Sequence, residues 1–228
     1  MFALDIETVP LTEALDAPYP RDEFAPPSNY KNPEVIDGWY VKDEARWRAS
    51  RVKTCSLNPR LGRIVALGAQ MVDGGTAILA RTVEDEPRLL RAFWSLADTA
   101  IAEGEPHLIT WNGAFDLHFL LVRSLIHGLV VPPACAAAIA GWRRKYDLRT
   151  HFDVKAALLN FDARATGEGL DEWATCFGLP TKPMHGSDVY LAASQGEWED
   201  IRAYVMHDVT TTHALYYRIR AMFPAEVR

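Results

Sequence analysis

Residues 2–10 read FALDIETVP, and this stretch decides the fold. Phe2, Ala3, Leu4 and Ile6 have the character of a strand buried on both sides. The run then closes on two carboxylates, Asp5 and Glu7, one residue apart. On a strand, residues i and i+2 share a face, so two like charges stand side by side and repel unless something positive lies between them. A solvated strand end and a metal ion both answer that repulsion. With 30 acidic residues in the chain, an acid pair at i and i+2 recurs roughly four times by chance, so the position at the end of an apolar strand carries the weight.

Working outward, residues 10–58 break the pattern. Five prolines fall between Pro10 and Pro27, and from about Asn32 the chain is helical but irregular, with Val35, Trp39, Ala45 and Trp47 set among charges. This reads as an insertion packed beside a single domain spanning 1–228. Regular structure resumes with RIVALGAQMV (63–72) and TAILART (76–82), joined by Asp73-Gly74-Gly75, a hairpin with good turn chemistry. EDEPRLLRAFWSLADTAIAEG is a helix with acids at its start and glycine beyond its end. HLITWN is a short buried strand. AFDLHFLLVRSLIHG follows as a helix whose Phe115, His118, Phe119, Val122, Leu125 and Ile126 take the spacing of a core stripe. After a Pro- and Ala-rich stretch come HFDVKAALLNF, a strand end and helix, and GLDEWATCFGLP, a short helix stopped by Gly178 and Pro180. A long amphipathic helix closes the chain. A hairpin beside βα units gives an α/β class, a mixed sheet with helices on its faces.

The bulk properties set bounds. At 228 residues, 49% hydrophobic and 24% charged, the composition is that of an ordinary globular protein. Cys55, Cys135 and Cys176 lie far apart, with no metal-ligand spacing, and predict free thiols in a reducing, cytoplasmic setting. No segment has the length or apolarity of a membrane span or secretory leader. The net charge of −6 does not suit a protein that coats nucleic acid by charge alone. Basic residues nonetheless gather twice, at Arg46, Arg48, Arg51, Lys53, Arg60 and Arg63, and at Arg143, Arg144, Lys145 and Arg149. A phosphate-bearing ligand and plain solvated surface explain these equally well.

Two further segments present acids in the same kind of place. Asp116 begins a helix just after the strand HLITWN, where open α/β sheets build their sites and a helix N-terminus favours an ionised side chain. Asp208 lies on the last helix, half-buried at the edge of its apolar stripe, with Tyr204 one turn earlier. Four buried carboxylates hold their charge only around cations, and hard divalent ions with oxygen ligands, Mg²⁺ or Mn²⁺, suit them.

LDIET, NGAFDLHFL and YVMHD together resemble the three motifs of the DnaQ-like DEDD 3′–5′ exonucleases. Asp5 and Glu7 match D-x-E. Asn112, Phe115 and Asp116 match the second motif, with one position of slack against its usual spacing. Tyr204 and Asp208 match Y-x-x-x-D, the tyrosine (DEDDy) subfamily, since Ala203 stands where the histidine subfamily has its histidine. LGRIVALGAQ, HFDVKAALLN and GLDEWATCFGLPTKPMHGSDV are more narrowly similar to the predicted exonucleases related to the proofreading domain of family-B DNA polymerases. The resemblance implies a ribonuclease H-like fold, an antiparallel β1-β2-β3 unit continued by parallel strands. It also implies two-metal-ion hydrolysis at the 3′ end of single-stranded DNA, or RNA, alongside replication or repair proteins. Asp5 would bridge two ions, Glu7 and Asp208 would complete the site of one, Asp116 would hold the other partly through water, and Tyr204 would orient the attacking water. Asn112 and Thr8 would line the cleft.

Other residues stay open at this stage. Asp153 either approaches the site or caps the next helix. His118 reads as a core histidine, and most of the seven tryptophans as core. Lys182 and His185 meet phosphate or belong to an ordinary loop. Two rivals differ in kind: a haloacid dehalogenase-like phosphatase with Asp5 as nucleophile, and a catalytically silent binding module on the same fold.

Overall fold

The computed structural model describes residues 2–71, 74–104, 107–162, 169–182 and 184–223. The elements run β1 (Phe2–Pro10), α1 (Thr12–Leu15), α2 (Pro33–Ser56), β2 (Gly62–Met71), β3 (Gly74–Leu79), α3 (Glu86–Ala102), β4 (Leu108–Thr110) and α4 (Gly113–Ile126). They continue with α5 (Pro133–Trp142), β5 (His151–Asp153), α6 (Val154–Leu158), α7 (Leu170–Cys176), α8 (Val189–Gln195) and α9 (Trp198–Ile219). The five strands form one sheet in the order β3-β2-β1-β4-β5. β1 pairs antiparallel with β2, β2 antiparallel with β3, and β4 and β5 add in parallel. The expected mixed α/β sheet is therefore present. In the β2–β3 hairpin, Gly74 and Gly75 already belong to β3 and pair with Met71 and Gln70. Asp73 of the expected turn lies outside the described residues.

The alternation along β1 assigns each side chain a face. Phe2, Leu4 and Ile6 pack with Leu89, Phe93, Trp94, Phe119 and Leu120 of α3 and α4. Ala3 packs with Ile109 of β4 and with Val209, Leu215 and Tyr216 of α9. Asp5 and Glu7 follow Ala3 on the α9 face, which puts both acids under the last helix. α9 comes very close to the sheet. A Cβ on Gly68 would stand 2.9 Å from the Val205 carbonyl oxygen, so only glycine lets the helix backbone lie over β2 there.

Two expectations need correction. α2 is one regular helix of 24 residues. Cys55 is its one buried residue, so no apolar period could announce it. It is held instead by an Asn32 cap on Glu34, and by residues 12–24 strapped along it: Tyr19 donates to Asp43 (2.6 Å), and Arg51 donates to the Ala14 carbonyl. In α4 the buried face is turned from the expected stripe. Asp116, Leu117, Leu120, Arg123 and Ser124 are buried, whereas His118, Leu125 and Ile126 are exposed. The tryptophans are mostly core as expected: Trp94 and Trp142 are buried, and Trp111, Trp173 and Trp198 pack partly buried against the core. α5 and α8 are helices in stretches to which the sequence reading assigned no element.

Candidate active site

Three of the four acids meet. Asp5 and Glu7 from β1 and Asp208 from α9 each present a carboxylate oxygen, and these oxygens lie within 4.8 Å of one another. Asp208 is 6% exposed, more enclosed than the stripe edge suggested. Asp5 Oδ2 and Asp208 Oδ1 are buried and accept no hydrogen bond from the described residues. Burial first, then the charges of Glu7, Asp116 and Asp208, push the Asp5 carboxyl far above the ordinary range. Burial and Asp208 do the same to Glu7. Such a cluster is short of positive charge. All-oxygen donors with unpartnered buried atoms fit a hard divalent cation.

Asp116 comes from the first turn of α4, outside that group of three but close enough for its charge to act on Asp5 and Glu7. β4 ends at Thr110, opposite Leu4, so β1 runs on unpaired along that edge. The Ile6 N–H hydrogen-bonds to the Asp116 carboxyl and pulls its pKa down, but burial and Asp153 outweigh this and lift it to about 8.

Asp153 does both things expected of it. Its Oδ1 accepts from Ala156 N (2.8 Å), capping α6, and its Oδ2 accepts from Gly113 N (2.9 Å), tying down the start of α4 beside Asp116. Gly113 is required there, because a Cβ would lie 2.3 Å from the His151 ring. His151 is wedged behind it, between the Thr110 hydroxyl and the Trp142 carbonyl, both at 2.8 Å. Burial lowers its pKa to about 4, so it is a neutral spacer at ordinary pH. Thr8 donates to the Ser56 carbonyl (2.7 Å) just past a β-bulge, tying the end of α2 to the strand. Asn112 is exposed at the mouth of a groove that begins here.

The residue that sequence reasoning undervalued is Lys182. Its ammonium is buried, paired with Asp208 and donating to the Tyr204 hydroxyl at 2.9 Å, with the ring of Tyr204 4.0 Å below it. It is the positive group that the acids lean on. Burial and the neighbouring carboxylates raise the Tyr204 phenol well above its usual value. The only hint in the sequence was a lysine in the TKPMHG loop, four residues from the start of the turn that touches Tyr204.

A family of predicted 3′–5′ exonucleases related to the exonuclease domain of PolB matches residues 57–225. The chain belongs to that family. The matched span includes Asp116, Tyr204 and Asp208, while Asp5 and Glu7 precede it. A Methanocaldococcus jannaschii protein described as uncharacterized is 39% identical over 80 residues, which is 35% of this chain and 42% of that protein. The fold is similar to part of the family B DNA polymerase of the hyperthermophilic archaeon Pyrobaculum calidifontis. The TM-score is 0.58 at 17% identity, covering 96% of this chain and 24% of the polymerase. The mixed sheet flanked by helices is thus similar to that of a family-B polymerase exonuclease domain, the chain spans less than half the length of either of these two proteins, and its family is one of predicted 3′–5′ exonucleases. No helix among the described residues is long and apolar enough to cross a membrane.

Proposed function

We propose that residues 1–228 act as one metal-dependent 3′–5′ exonuclease domain of the tyrosine type, with 10–58 as an insertion. It would remove nucleoside 5′-monophosphates from the 3′ end of single-stranded DNA in preference to RNA, in a reducing, cytoplasmic setting that suits three free thiols. One observation carries the reading: carboxylate oxygens of Asp5, Glu7 and Asp208 lie within 4.8 Å of one another, and Asp5 and Asp208 each keep a buried oxygen that accepts no hydrogen bond from the described residues. Asp5, Glu7 and Asp208 would hold one divalent ion, and Asp5 with Asp116 a second. When bound, such ions supply a water acidic enough to attack at neutral pH and neutralise charge on the leaving oxygen. In the hydrolysis, the water oxygen bonds to the terminal phosphorus as the bond to the preceding 3′ oxygen breaks; the attacking water gives up a proton, and the departing 3′ oxygen takes one from solvent to leave as a hydroxyl.

The chain's own groups set the geometry for this. With its pKa raised, Tyr204 keeps its proton, so it acts by hydrogen bonding and not as a base. Lys182 already donates to the phenolic oxygen, which leaves the phenolic proton for an acceptor in the site. Thr8 and Asn112 would line the terminal nucleotide's cleft, Asn112 from the groove mouth.

A time course on 5′-labelled single-stranded DNA and RNA of one sequence tests this, with Mg²⁺, Mn²⁺ or EDTA. The expected result is a ladder shortening from the 3′ end in either metal and intact strand in EDTA. Undigested strand in both metals, or rapid release of phosphate from para-nitrophenyl phosphate instead, would overturn it.

A further inference from the structure

Beside the carboxylates lies a groove of about 950 Å³ that the proposed chemistry leaves unused. It opens at Asn112 and Asp153 and runs between α4 and the segment 142–162. Leu117, Leu121 and Val122 of α4 form an apolar floor, and Arg143, Lys145 and Lys155 stand along the walls. Asp147 pairs with Arg149 (2.7 Å) and Arg144 (3.8 Å), so one carboxylate offsets part of the charge of these two arginines. Arg143, Lys145 and Lys155 make no ion pair among the described residues. The groove reaches Asp153, whose charge acts on Asp116, and four cationic side chains (Arg143, Arg144, Lys145 and Lys155) outnumber the three carboxylates Asp147, Asp153 and Asp162 in its lining.

The same walls carry aromatic rings. Tyr146 is 62% exposed and meets Phe161 edge-on, ring centres 5.0 Å apart, with the Lys145 ammonium 4.8 Å from the Tyr146 ring centre. Tyr146 has φ 70°, and across the groove Asn160 and Phe161 have φ 49° and 57°. These are the three non-glycine residues with positive φ among the described residues. Backbone held in this sparsely populated region by large side chains collects at binding sites, where the fold accepts a local cost to aim a group. Here it carries the two rings, Tyr146 and Phe161, that line one groove.

We propose that this groove carries the single strand upstream of the scissile bond, with bases stacked on Tyr146 and Phe161 and phosphates on Arg143, Lys145 and Lys155. Every base has a π-face and every link a phosphate, so the recognition is independent of sequence. The inference rests on the exonuclease reading for its orientation, with the 3′ end toward Asp5.

The test measures binding and digestion separately. Fluorescence anisotropy of 5′-fluorescein dT12 in EDTA, where no cutting occurs, reads affinity over a salt series. In the Arg143→Ala/Lys145→Ala protein, both side chains being exposed, Kd rises about tenfold or more and the slope of log K against log salt flattens by about 1 to 2. Tyr146→Gly gives the strained position its preferred residue, so the fold survives, and Kd rises about fivefold or more with the slope unchanged. With Mn²⁺, the loss of kcat/KM in both variants is greater on dT12 than on a dinucleotide. Wild-type affinity and digestion of dT12 in both variants would overturn the proposal, as would failure of the wild-type protein to bind dT12. If the wild-type protein cuts nothing in Mn²⁺ yet binds dT12 through these residues, the groove stands and the exonuclease reading falls.

Discussion

Two buried charge clusters in this molecule behave oppositely. Glu86, wholly buried at the start of α3, has every need met. Its Oε1 accepts from Ile64 N (2.8 Å) and Arg123 Nε (3.0 Å), and its Oε2 from Arg123 Nη2 (2.6 Å) and His127 Nε2 (2.8 Å). Arg123 in turn donates to the Pro59 carbonyl at 3.2 Å, so the cluster fastens two helices to β2 and the loop before it. Among the described residues, the four carboxylates around Asp5 have one ammonium, Lys182, with His207 Nδ1 3.6 Å from Asp208 Oδ1, and two of their buried oxygens accept no hydrogen bond. A self-sufficient cluster serves stability, because each charge is neutralised on the spot. A cluster left short of positive charge costs stability in the isolated chain and suits an ion from solution.

The sharpest way to break the contrast is to remove one charge from each cluster. Asp5→Ala or Asp208→Asn is expected to lower exonuclease activity by about 10³-fold or more, while the metal-free protein melts no lower than wild type because repulsion falls. Activity within a few-fold of wild type in the labelled-strand assay would put the site elsewhere. Arg123→Met does the reverse. It strands Glu86 and is expected to cost about 3–5 kcal/mol, a fall in Tm of roughly 6–20 °C, with the folded fraction still active. Pairing it with Glu86→Leu should recover much of the loss by calorimetry.

Titration sharpens the comparison further. The Asp116 carboxyl is held up at about 8, well above its ordinary 3.8. A folded-state pKa raised above the unfolded one means that the native state binds more protons between those values. Its contribution is complete at low pH and is lost as pH rises toward 8. In EDTA, Tm should fall between pH 5 and pH 8, and Mn²⁺ should raise it more at pH 8 than at pH 5. A flat profile would show that the acids are not short of positive charge. Smaller effects are expected at the supports. Tyr204→Phe should slow turnover about five- to tenfold, the worth of one hydrogen bond. Asp153→Ala should destabilise by about 1 kcal/mol through the lost cap, measured by urea unfolding.

What the sequence disclosed tracks how local each signal is. Asp5, Glu7, Asp116, Tyr204 and Asp208 could be picked out because each sits at a strand end, a helix start or one turn along a helix, places whose geometry spacing alone defines. Three of the acids do converge, with Asp116 beside them. Lys182 gave no such signal, since it reaches Asp208 and Tyr204 from a loop whose path only tertiary packing sets. α4 was turned in the reading because Arg123 and Ser124 are buried through polar bonds to Glu86 and Trp94, and a hydrophobic count scores both as surface. α2 escaped as a regular helix because polar ties and ring contacts hold it, with almost no buried stripe. The first basic cluster is also partly spent inside the molecule: Arg63 donates to the Ala80 and Thr82 carbonyls, and Arg48 pairs with Glu44.

The brevity of β4 has a consequence of its own. Phe2 N–H reaches the carbonyl of His107, and β4 then runs only to Thr110, so the amide of Ile6 has no third strand residue to answer it and turns to Asp116. Two more residues of ladder would satisfy that amide with main chain and leave the aspartate without its berth. A redesign with a longer fourth strand would thus gain main-chain hydrogen bonds and displace the Asp116 carboxyl, so a gap in the sheet is what keeps the fourth acid in place.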